Sequence, residues 1–98
     1  MPAPNEVNPR NFQVLRVLYD DGEFSVVRGT WEDGTARLAM RWNGAGDDAG
    51  YPKTFGNPVW FVLPPPLTGA ISRALLGETG SNPDSIIETL SEVYRRRD

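Results

Sequence analysis

Two twelve-residue stretches lie end to end in this chain, "NFQVLRVLYDDG" at 11–22 and "EFSVVRGTWEDG" at 23–34, and they align without a gap. Each reads Phe, any residue, Val, an aliphatic residue, Arg, two variable residues, an aromatic residue, an acid, Asp and Gly. Runs of β-branched and aromatic residues closed by Asp-Gly are the strongest short-range signal for hairpins. Two hairpin arms with the same job need the same residue types, so the repeat predicts strands at 12–19 and 24–31. A third stretch, "TARLAMRWN" at 35–43, alternates Ala36, Leu38, Met40 and Trp42 with Thr35, Arg37, Ala39, Arg41 and Asn43, the period of a strand with two different faces.

Register decides which side chains share a face, because a slip of one residue exchanges the faces. Three-residue loops, Asp20-Asp21-Gly22 and Glu32-Asp33-Gly34, would pair Tyr19 with Glu23 and Trp31 with Thr35. One face then collects Phe12, Val14, Leu18, Phe24, Val26, Leu38, Met40 and Trp42. Arg16 and Arg28 would sit on that face near its rim or paired with acids, since an unpaired buried charge is too costly. Two-residue turns would instead move Phe24, Val26 and Arg28 across. Both registers put Arg37 and Arg41 opposite Leu38, Met40 and Trp42.

"PVWFVLP" at 58–64 reads as a short fourth strand, Val59 to Leu63, stopped by the prolines at 64–66, which cannot donate to a sheet ladder. Thr68 is the expected N-cap of a helix running to about Leu76, with Gly77 as its stop and Ile71, Ala74 and Leu75 as its stripe. Asn82 and Pro83 open a second helix, on which Ile86, Ile87, Leu90, Val93 and Tyr94 fall at helical spacing. Arg95, Arg96 and Arg97 suit the negative end of that helix. The fold expectation is α+β: a four-stranded antiparallel meander followed by two C-terminal helices on one face, in a single domain over 1–98, with a flexible start at 1–10.

The chain of 98 residues carries no Cys and no His. That excludes disulfides, thiolate metal sites and thiol nucleophiles, and it leaves acid-base work to carboxylates, Tyr or the single Lys53. A net charge of −3 argues against a surface built for phosphate. Nine of the ten basic residues are Arg, a bias that a GC-rich, bacterial genome would produce. The start lacks the pattern of a signal peptide and no stretch approaches 18 apolar residues, so the expectation is a cytoplasmic protein that does not engage a membrane.

The segment 44–57 is long for a connection in a compact domain. Its first half, "GAGDDAG", is small and polar, and its second, "YPKTFGNP", has the apolar weight to pack back near Trp42 and Trp60. It is not a P-loop, since no Gly precedes Lys53 and no helix follows. Asp47 and Asp48 with Asn43 lack the ligand spacing of an EF-hand. No hydroxyl has an activating partner nearby in sequence, and the chain reads as a non-enzymatic binding protein with no cofactor.

Three kinds of partner follow from the residue types. A protein partner, or a second copy in a homodimer, would meet an open sheet face bearing Leu15, Val17, Tyr19 and Trp31. A small anionic ligand would be walled by Trp42, Tyr51, Lys53, Phe55 and Trp60 with Arg41 as charge partner. Single-stranded nucleic acid is the lesser alternative, through Arg37 and Arg41, about 13 Å apart along one strand.

Overall fold

The computed structural model describes residues 2–95. Its main sheet has the order β1-β2-β3-β6 and is antiparallel throughout: β1 Phe12–Asp20, β2 Phe24–Trp31, β3 Ala36–Trp42 and β6 Phe61–Val62. Between β3 and β6 the chain makes a separate two-stranded hairpin, β4 Lys53–Thr54 with β5 Asn57–Pro58. Two helices follow, α1 Thr68–Leu75 and α2 Pro83–Arg95, the first entered through a 3-10 turn at Pro65–Leu67. The α+β architecture read from the sequence is therefore the observed one, with a fourth strand shorter than its apolar run.

The second hairpin turn follows the three-residue reading. Trp31 and Thr35 are bonded, Gly34 takes φ +86°, and Asp33 accepts from the Thr35 N–H and hydroxyl at 2.9 and 2.6 Å. Bonds from Thr35 hold the Asp33 carboxyl below its usual range. The first turn departs from both readings, because Asp20 pairs with Ser25 and Tyr19 with Val26. Asp21 Oδ1 accepts from the N–H groups of Glu23 and Phe24 at 2.9 and 2.8 Å, which tightens the turn around Gly22.

The shift accumulates through two irregularities in β1, between Val14 and Arg16 and between Val17 and Tyr19. Each extra residue moves what lies beyond it to the other side of the sheet. Phe12 and Val14, expected beside Leu18, join Val17 against Val7, Val27, Ala39 and Trp60 in one core. Leu18 stays with Val26, Leu38, Leu63 and Ile86 in the other, where Ile71, Leu75 and Leu90 bring in the helices. Gly29 is where the first core comes closest to the backbone: a Cβ there would meet Gln13 O at 2.4 Å and the Phe12 ring at 2.5 Å.

Each sheet face has its own cover, incomplete on the helix side. On the helix side Arg16 and Arg28 are held by the carboxylates of α2, as their expected burial required. Arg16 binds Glu88 at 2.8 Å and Glu92 at 2.9 Å, and Arg28 binds Glu92 at 3.3 Å. On the other side the start of the chain, expected to be flexible, packs against the sheet. Pro4 and Val7 are buried, Val14 N–H donates to Asn8 Oδ1 at 2.7 Å, and the Trp60 indole N–H donates to Val7 O at 2.7 Å. At the last helix Asn82 caps Ser85 N–H at 3.2 Å, as its position predicted; Arg96 and Arg97 lie outside the described residues.

Candidate interaction surface

The long segment after β3 is built on Arg41. This side chain is 1% exposed, and its guanidinium donates to three backbone carbonyls: Val59 O from Nε at 3.0 Å, and Ala49 O and Pro52 O from Nη2. It also lies 5.9 Å from the centre of the Trp60 ring, within cation–π range. Burial pushes its pKa down. An arginine facing a loop from a strand can bond several carbonyls at once because its donors form a rigid planar fork.

Arg41 was read as an outward-facing ligand, and burial removes it from that role: it is an internal strut of the 49–59 segment. Arg37, four residues earlier, is half-buried and folded onto its own turn, 3.4 Å from Asp33 and 3.2 Å from the Thr35 hydroxyl. The paired-guanidinium arrangement is thus not assembled. Nor is the anion pocket. Trp60 is in the core on one side of the sheet, Trp42 is on the other, and Lys53 is exposed on the small hairpin. Phe55, expected to pack back, is fully exposed at the hairpin tip with φ +50°, followed by Gly56 at +80°. The four residues proposed for an open face are also dispersed. Val17 and Trp31 pack into one core, Tyr19 into the other, and Leu15 protrudes from the irregularity in β1.

A different grouping emerges from the register. Residues paired directly across antiparallel strands point to the same side. Phe24 pairs with Trp42, and Trp42 exchanges two backbone hydrogen bonds with Tyr51, 2.7 and 3.0 Å. One step along, Val26 pairs with Met40 and Met40 with Phe61. These six side chains form two adjoining rows on the helix side of the sheet. The helices cover the Val26 end and stop short of the other. Trp42, Tyr51 and Phe61 remain 56, 67 and 60% exposed, and the Phe24 ring meets Trp42 edge-on at 4.9 Å. The ledge is fixed from behind, since the Arg41 bonds to Ala49 and Pro52 bracket Tyr51.

No protein-family model matches the chain, and neither the curated proteins nor the solved structures offer a significant match. The surface therefore has to be read from its own chemistry.

At the Trp42 end of the ledge is a pocket of about 360 Å3 lined by Glu23, Trp42, Gly44, Ala45 and Asp48. Asp48 is set by a turn in which its N–H donates to Ala45 O at 2.9 Å, while its Oδ1 accepts from Gly50 N–H at 2.9 Å. Among the described residues neither Glu23 nor Asp48 is part of an ion pair, and no group of three or more potential metal ligands is found. No described helix is long and apolar enough to cross a membrane. Sequence reasoning singled out Trp42 and Tyr51 but missed Phe61 and Glu23. Phe61 falls within the fourth strand expected at Val59 to Leu63, and nothing local says how far two distant helices extend over the sheet there.

Proposed function

We propose that this chain is a non-enzymatic binding protein that docks a protein partner along the ledge formed by Trp42, Tyr51 and Phe61. The observation that carries the reading is the exposure of three neighbouring aromatic side chains along one edge of the sheet. Contiguous exposed apolar surface of this kind marks interaction sites, and Trp and Tyr are the residues that most often anchor them. The absence of His and Cys from the chain favours binding over catalysis.

A random-peptide display selection on the immobilised full chain tests this reading. Wild-type protein is expected to enrich binders that a Trp42→Ser/Phe61→Ser double variant, folded by circular dichroism, does not retain. Binders held equally well by both proteins, or no binders at all, would remove the ledge as the docking site.

A further inference from the structure

Resting on that reading of the ledge, we infer that the pocket at its Trp42 end receives an arginine side chain of the partner, so that the ligand is a basic segment with apolar neighbours. The pocket, of about 360 Å3, is lined by the exposed Trp42 and by two acidic residues, Glu23 and Asp48, the latter with Oδ1 bonded to Gly50 N–H. Neither carboxylate is matched by a cation among the described residues. An aromatic face next to acids is complementary to a group that is cationic, flat and rich in donors. A guanidinium meets all three requirements, stacking on the ring while its fork reaches the acids.

Other occupants fit less well. An anion would face two carboxylates with no opposing charge. A hard metal ion would need several convergent oxygens, and no such group is found among the described residues. A second copy of this chain has the same net charge of −3 and would bring an acidic rim to an acidic rim, whereas a basic segment is drawn to it. Both acids sit in hydrogen-bonded turns: Asp21 accepts from the N–H groups of Glu23 and Phe24, and Asp48 accepts from Gly50 N–H.

Titrating the 15N-labelled full chain with N-acetyl-arginine amide, and separately with its uncharged citrulline counterpart, reads the pocket directly. Arginine is expected to give saturable shifts at the Trp42 indole N–H and the amides of 44–48, and citrulline shifts at least about tenfold weaker. Glu23→Gln and Asp48→Asn, each checked for an unchanged melt, should each weaken the arginine response by about three- to tenfold. Equal responses to both amides, shifts that map elsewhere, or Glu23→Gln and Asp48→Asn variants that both respond as wild type does would overturn the inference. Ledge-dependent peptides that show no arginine preference and no sensitivity to Glu23 would sink it while leaving the docking reading intact. Loss of all ledge-dependent peptides removes the docking reading itself. A dimer seen by light scattering and abolished by Phe61→Ser would assign the surface to a second copy and overturn the proposal.

Discussion

Arg41 and Trp42 are consecutive in β3 and stand on opposite sides of the sheet, the guanidinium sealed beneath the 49–59 segment and the indole more than half exposed on the helix side. The buried residue fixes the backbone that brings Tyr51 beside the exposed one. Stability and presentation of the ledge are therefore coupled at adjacent positions.

Arg41→Met would keep much of the side-chain volume and remove every donor. The carbonyls of Ala49, Pro52 and Val59 would then lose a charged partner, at about 2 to 4 kcal/mol in all. Urea denaturation should show a lower midpoint. Amide exchange at Tyr51, bonded to Trp42 O at 3.0 Å, should quicken more than exchange in β2. Unchanged stability would mean that the guanidinium is not the strut of this segment.

Glu92 gives stability a pH dependence of known sign. Its hydrogen bonds from Arg16, opposed by burial and aided by the charges of Arg16 and Arg28, hold its carboxyl below the ordinary range. A carboxylate with a lowered folded pKa adds stability above its unfolded value, near 4.3, and loses it as pH falls through the folded value. Glu92→Gln should destabilise by about 1 to 2 kcal/mol at pH 7, a modest figure because a third of the side chain meets solvent. Asp21 and Asp33 are also held low, so the informative quantity is the difference between wild type and variant. That difference should shrink from pH 6 toward pH 3, and a gap that stayed constant would exclude the Glu92 contacts as its source.

The two tryptophans flanking the long segment should respond in opposite ways to truncation. Trp60 is 7% exposed, packs with Phe12 and donates to Val7 O, so Trp60→Ala is expected to remove about 3 to 5 kcal/mol. Trp42→Ala forfeits mainly its edge contact with Phe24, about 1 kcal/mol. Chemical denaturation of both variants measures the contrast. Comparable losses would place Trp42 within the core rather than on a docking ledge.

Gly29 has an ordinary strand conformation, and what forbids a larger residue there is space. Gly29→Ala sets a methyl against Gln13 O and the Phe12 ring. One of these is backbone and cannot swing away, so about 2 to 3 kcal/mol of destabilisation is expected, read as a lower melting temperature.

Phe55 sits at a left-handed position in a two-residue hairpin turn, where Asn followed by Gly is the favoured pair. Because its ring touches solvent on every side, Phe55→Asn should raise stability by about 0.5 to 1 kcal/mol through relief of backbone strain. A lowered unfolding midpoint would show instead that the ring is packed in solution.

Much of the fold is written in local patterns. The Asp-Gly closures set the meander, the Asn82-Pro83 pair starts α2, and the alternation of β3 puts Arg41 opposite Leu38, because each of these depends on residues a few positions apart. Sheet geometry then moved the outcome. Two irregularities in β1 carried Phe12 and Val14 to the other core, and no sequence period announces an inserted residue that is unpaired with its neighbour strand.

What the sequence by itself determined is the order and kind of the main-sheet strands and the two helices, though not the small hairpin of Lys53–Thr54 with Asn57–Pro58, and the side of β3 on which each residue stands. Tertiary structure alone decided which side is wet. The 49–59 segment closes over Arg41, while α1 and α2 leave Trp42, Tyr51 and Phe61 open. Burial is set by how far chain segments distant in sequence reach over a sheet, and that reach is fixed by packing rather than by local propensity.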